Sequence, residues 1–99
     1  MKLHWRESAR ADLRAIISYI AGRNAAAATA LGDRIELCTE RLVDHPYMHR
    51  RGRVAETREA VVHPNYIVVY TVRSDSIEVL AVLHSRRQYP SASEAGVQS

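Results

Sequence analysis

Two helix-period stripes separated by a three-residue break, followed by three β-period runs, leave this chain very few ways to fold. Apolar residues at Ala9, Leu13, Ile16, Ile17 and Ile20 fall at i, i+4, i+7, i+8 and i+11 and line one side of a helix. Arg10, Asp12, Arg14 and Ser18 take the other side. Gly22 and Asn24 break the pattern, and Asn24 suits the start of a second helix because its side-chain oxygen can accept from an orphan backbone N–H. That helix opens in the alanine run Ala25 to Ala28 and carries Ala28, Leu31, Ile35, Cys38 and Leu42 along one stripe. It ends at His45-Pro46, since the residue before a proline is pushed out of the helical region. So short a connection folds the two helices back as an antiparallel hairpin.

The flanking segments change period. Lys2 to Trp5 alternates and reads as an opening strand. Tyr47 to Val54 is basic, contains a glycine and reads as a loop. Thr57 to Val62, Tyr66 to Val72 and Ser76 to His84 read as strands, with turns at His63-Pro64-Asn65 and Ser74-Asp75. Tyr66 to Val72 is nearly continuous in Ile, Val and Tyr, which marks a central strand covered on both faces. The expected fold is α+β: an N-terminal strand, an antiparallel helical hairpin and a three-stranded antiparallel meander (βααβββ). The hairpin is the only available cover for one face of the sheet, and the other face is left open.

The chain has 99 residues, which suits one domain over residues 1–90, with a small polar tail at 91–99 expected to fray. A single cysteine excludes an internal disulfide, and Cys38 on the helix stripe reads as a small core residue. His4, His45, His49 and His63 lack ligand spacing, so no metal and no cofactor are expected. No apolar run approaches membrane-spanning length and no leader pattern opens the chain, so the expected compartment is the cytoplasm, with no membrane partner. Trp5 and Tyr19 are expected at the margin of the core.

Charge points to the partner class. Residues 1–45 carry seven basic and six acidic side chains, while residues 46–90 carry seven and four, so the surplus lies with the strands. Thirteen of the fourteen basic residues are arginine, whose planar fork grips phosphate or carboxylate through paired hydrogen bonds. Arg50, Arg51, Arg53, Arg58, Arg86 and Arg87, with Tyr89, are the candidate target-binding residues at the sheet rim. Each has a plainer reading: the loop arginines as a solvated face, and Arg58 as an ion-pair partner of Glu56 or Glu78.

Several segments, taken in order, resemble one family. They are Ala11-Asp12-Leu13-Arg14-Ala15-Ile16-Ile17-Ser18-Tyr19-Ile20, Leu42-Val43-Asp44-His45-Pro46, Arg53-Val54 with Thr57-Arg58-Glu59, Tyr66-Ile67-Val68-Val69-Tyr70, and Val82-Leu83-His84 before two arginines. Their order and spacing from about residue 3 to 90 resemble the RelE/ParE superfamily of bacterial toxins. The resemblance implies a type II toxin-antitoxin module: a small basic toxin held inactive in a hetero-oligomer with a cognate acidic antitoxin. It also implies one of two actions. RelE-like members cleave mRNA on the ribosome, for which the resemblance implies Arg58 and Arg86 to hold phosphate, His84 to shuttle a proton and Tyr89 to stack or donate; ParE-like members poison DNA gyrase. The ribonucleases carry an arginine directly after the position matching Tyr66, where this chain has Ile67, and ParE-like toxins are aliphatic there. The resemblance therefore favours gyrase as the target, with ribosome-dependent mRNA cleavage as the alternative.

Overall fold

The computed structural model of the chain describes residues 1–86. The predicted tail at 91–99, and also Arg87 and Tyr89, lie outside the described residues. The elements are β1 (Lys2–Trp5), α1 (Glu7–Ala21), α2 (Ala25–Asp44), β2 (Arg50–Arg51), β3 (Arg58–His63), β4 (Tyr66–Val72) and β5 (Ser76–His84).

Both helices follow from local chemistry. α1 starts two residues before its first apolar position, with Glu7 in the first turn, where a carboxylate is favoured by the helix dipole. The Asn24 side chain accepts from Ala27 N at 3.0 Å and caps α2. α2 then runs to Asp44, and the His45 N–H closes the last turn on Arg41 O at 2.9 Å. The stripes of α1 and α2 meet the sheet through Ala9, Leu31, Ile35 and Leu42, with Cys38 packed against them. Burial pushes the Cys38 thiol up, with Arg41 opposing, as befits a core thiol.

The strands form one sheet in the order β1-β5-β4-β3-β2. β1 lies parallel to β5, with Lys2 opposite Ser76, and the other neighbours are antiparallel. The helical hairpin thus carries the chain from one edge of the sheet to the other. The predicted basic loop at 47–54 needs correction: Arg50 and Arg51 pair with Glu59 and Arg58 and add a two-residue edge strand. Arginines have no strand periodicity to read; the pairing is created by the side chains described below.

A bulge in β5 decides which residues face the helices. Tyr70 pairs with Val79 and Val69 with Ala81, so Leu80 is the extra residue. Strict alternation would put Val79 and Val82 on opposite faces; the bulge resets the phase and both join the helix-side core with Ile77, Val68, Tyr70 and Ala60. On the far face, Ile67, Val69 and Leu83 form a second cluster with Leu80 and Ala81. The expectation of an open far face is corrected there, since Ile67 is 2% and Leu83 3% exposed. β5 extends past the end of β1, and Asp12 of α1 accepts the outward-pointing Val82 N–H at 3.1 Å. This carboxylate takes the place of a neighbouring strand's carbonyl.

Candidate functional site

The arginines from 50 to 58 gather around one buried carboxylate. Glu59 lies on the far face beside Val69 and is 2% exposed. Arg50 reaches its Oε1 at 3.1 Å, while Arg53 approaches Oε2 with Nε at 3.6 Å and donates its backbone N–H at 3.1 Å. An ionised carboxylate is buried at tolerable cost only with such partners. The turn between them is held by Gly52 N to Thr57 O at 2.8 Å, Thr57 Oγ1 to Val54 O at 2.6 Å, and Thr71 Oγ1 to Glu56 O at 2.6 Å. Glu56 takes the left-handed conformation at φ 66°. Glycine is required at position 52, because a Cβ there would run into the Thr57 hydroxyl.

Arg58 is committed differently. It stands at the start of β3 opposite Tyr70 and donates from one guanidinium nitrogen to His49 O at 2.8 Å and Tyr47 O at 3.3 Å. Its guanidinium carbon lies 5.0 Å from the centre of the Tyr47 ring. The proposed partners Glu56 and Glu78 are not the ones it uses; Glu78 instead receives Arg73 at 2.6 Å and Arg6 at 3.4 Å. The hydrogen bond from Arg73 holds the Glu78 carboxyl below its ordinary range, with burial opposing. Arg50, Arg53 and Arg58 are therefore not the free rim cations expected from the sequence. Four guanidinium groups around two carboxylates, Glu56 and Glu59, still leave this end of the sheet positive, and Arg51 is exposed.

The second group of candidates occupies the opposite end of β4. His63, Tyr66 and His84 stand side by side across β3, β4 and β5, with ring centres 5.7 and 5.3 Å apart. The Nδ1 of His84 accepts the Arg86 N–H at 3.1 Å, so the neutral ring carries its proton on Nε2 and presents a donor. Arg86 is exposed. Between this end and α1 runs a cleft lined by Asp12, Ile16, Tyr19, Tyr66, Leu83 and His84. Tyr19, expected at the core margin, is 60% exposed and lies under the Arg23 guanidinium at 4.1 Å.

The two groups are not one constellation. Arg58 lies level with Tyr70 and His84 level with Tyr66, four residues apart on β4, or roughly 13 Å along the strand. Sequence reasoning also passed over Glu59 and His49. Glu59 sits between Arg58 and Ala60 at the start of a strand and reads as an exposed charge beside an arginine.

His49 lies beside the ring of Tyr70, 6.2 Å between centres in an edge-on arrangement. Its Nε2 is shielded from solvent and has no hydrogen-bond partner among the described residues. Burial lowers its pKa from the ordinary 6.5. A histidine whose folded pKa is depressed contributes stability that is complete above the unfolded value and is lost as pH falls through the folded one. Acidification from pH 7.5 to 5.5 is thus expected to destabilise the wild type more than a His49→Gln variant, as read from urea midpoints at both pH values. Equal shifts for the two proteins would show that His49 is not the linked group.

Comparison with known proteins gives consistent results. Residues 3–89 match the family described as the ParE toxin of type II toxin-antitoxin system, parDE. Toxin RelE2 of Caulobacter vibrioides is 33% identical over 85 residues, covering 84% of this chain and 93% of that protein. The protein Y4kP of Sinorhizobium fredii is 32% identical over 90 residues, covering 90% and 93%. In fold, the chain is similar to one from the chromosomal ParDE TA system of P. aeruginosa, with a TM-score of 0.74 at 22% identity over 85% of this chain and 95% of that one.

Proposed function

The chain belongs to the ParE toxin family of type II toxin-antitoxin systems, and from that premise we propose that it acts by binding and inhibiting DNA gyrase rather than by cutting RNA. A toxin of this class has a cognate antitoxin as its partner. The observation that carries the proposal is the separation of Arg58 from His84 and Arg86 among the would-be catalytic groups. Cleavage through the 2′-hydroxyl needs a base, a phosphate-holding cation and an acid within about 3 Å of one phosphate. Arg58 and His84 stand in rows roughly 13 Å apart, and the Arg58 guanidinium is already donating to two carbonyls. The Nδ1 of His84 is taken up by the Arg86 backbone N–H.

Ile67 supports the same reading. At the position where the ribonuclease branch carries an arginine, this side chain is 2% exposed within an apolar cluster. Catalysis would lack its central cation. The proposed target contacts are the positive sheet end, Arg50, Arg51, Arg53 and Arg58, together with Arg86, Arg87 and Tyr89. The proposed setting is the cytoplasm, where gyrase and DNA are found; no helix among the described residues is long and apolar enough to cross a membrane.

Purified toxin added to gyrase and relaxed plasmid is expected to abolish supercoiling and accumulate cleaved DNA. Undisturbed supercoiling at stoichiometric excess would overturn the gyrase reading. New mRNA 5′ ends mapped in cells expressing the toxin would assign it to the ribonuclease branch.

A further inference from the structure

We infer that the outer face of α2 is a self-association surface, on which a second copy of this chain packs with its α2 parallel to the first. The inference goes beyond the toxin reading and does not depend on which target the toxin takes. Ala30, Asp33, Arg34, Leu37, Glu40 and Arg41 are exposed and recur at three- and four-residue spacing, so they share the side of α2 opposite the stripe that builds the core. Leu37, 49% exposed, stands at the centre of this face. At about 100° per residue, Asp33 and Glu40 fall on one flank of Leu37, while Arg34 and Arg41 fall on the other. A solvated helix face is ordinarily steadied by its own ion pairs. Here Asp33, Glu36 and Glu40 follow one another at i+3 and i+4, where like charges repel. None of Asp33, Arg34, Glu36, Glu40 and Arg41 makes an ion pair among the described residues. On its arginine side Leu37 adjoins Met48 and Val61, each 56% exposed, in a groove of about 220 Å³ that adds apolar surface for a partner to cover.

The two flanks select both the occupant and its direction. Two copies of α2 that meet along Leu37 can be related by a two-fold axis in two ways. In the antiparallel arrangement each flank meets its own kind: Arg34 faces the partner's Arg41, and Asp33 faces the partner's Glu40. Like charges across an interface are costly. In the parallel arrangement the basic flank meets the acidic one. Arg34 then stands beside the partner's Asp33 and Arg41 beside the partner's Glu40, each pair one residue, or about 1.5 Å, apart along the axis. The symmetry repeats both pairs on the other side. Packed helices lie about 8–10 Å apart, which these side chains span. A nucleic acid would instead meet the carboxylates of Asp33, Glu36 and Glu40. The parallel dimer also has a consequence for the positive sheet end. Arg58 is bound to the Tyr47 and His49 carbonyls just past the end of α2, so an axis running along α2 places both copies of that end on one side of the dimer. A partner with repeated anionic groups then engages two such ends at once.

The test is sedimentation equilibrium of the purified chain. A monomer–dimer equilibrium is expected with a dissociation constant on the order of 10–100 μM, since one helix face makes a small interface, and salt is expected to weaken it further. Arg34→Glu/Arg41→Glu and Asp33→Lys/Glu40→Lys are each expected to weaken association at least about tenfold, and an equimolar mixture of the two to recover it as a heterodimer. Arg10→Glu/Arg14→Glu, at exposed positions of α1, makes the same change in net charge as the first variant and is expected to associate as wild type. All the substituted positions are exposed, so thermal melting should be retained. Direction is read by cross-linking. Under mild oxidation Ala30→Cys/Cys38→Ser is expected to form a disulfide dimer, because the parallel axis sets position 30 against its own copy. Cross-linking that appears only when Asp44→Cys is added would establish the antiparallel arrangement and overturn the proposal. A wild type that stays monomeric at about 500 μM, well above the expected constant, would overturn it as well. So would wild-type association in both charge variants. None of these results bears on inhibition of gyrase, so the two readings fail separately.

Discussion

Replacing Tyr70 by alanine is expected to cost about 3–5 kcal/mol of folding stability, a large part of the roughly 5–15 kcal/mol that holds a domain of this size together. Tyr70 is the largest fully buried side chain among the described residues, at 0% exposure in the middle strand. It also does something no aliphatic residue can do there. Its hydroxyl donates to Pro46 O at 2.8 Å, next to the Tyr47 and His49 carbonyls that Arg58 holds. Tyr70 and Arg58 thus fasten the exit of α2 onto the sheet, and burial pushes the Tyr70 phenol pKa up, with Arg58 opposing. Tyr70→Phe keeps the packing and loses only the hydrogen bond, so about 1 kcal/mol is expected. Urea unfolding of both variants separates the two contributions. Equal losses for Phe and Ala would mean that the ring is not what fills the core.

The second large effect concerns the arginines that look most like binding residues. An Arg50→Ala/Arg53→Ala variant leaves the Glu59 carboxylate buried at 2% exposure with only the Arg53 backbone N–H as partner. Removing the partners of a buried charge costs about 3–5 kcal/mol, and about 3 is expected here because both arginines reach solvent at their outer ends. Adding Glu59→Leu should recover most of that loss, since an apolar side chain suits the site beside Val69. The triple variant is the useful one for function. It is expected to fold like the wild type yet inhibit gyrase less, because it removes two proposed contacts without unsettling the sheet. Full inhibition by a stable triple variant would make Arg50 and Arg53 structural alone.

These two results bear on how a small basic domain divides its cations. Fourteen basic side chains invite the reading that all of them await an anion. In the fold, Arg6, Arg14, Arg50, Arg53 and Arg73 make ion pairs, and Arg58 binds carbonyls. The arginines without such partners among the described residues include Arg34, Arg41 and Arg51. Two of those three, Arg34 and Arg41, stand exposed on α2. A basic composition therefore indicates an acidic partner, while the location of the interface depends on which cations the fold leaves unspent.

Local signals carried the elements themselves. Asn24 caps α2, His45-Pro46 ends it, and β4 and β5 match the apolar runs residue for residue, because helix and strand periods are properties of neighbouring residues in the chain. The family resemblance was equally legible, since it rests on motif order. Three features were decided only by the assembled structure. The strand order puts β1 beside β5, which no local pattern encodes. The Leu80 bulge turns Val79 and Val82 to the same side, which depends on the partner strand. The fate of the arginines is the third: Arg50 and Arg53 are drawn to Glu59 by a carboxylate that only the folded sheet buries. Periodicity is written in sequence neighbours, whereas the energy of a charge is set by its solvent exposure and its partners, and both are properties of the tertiary fold.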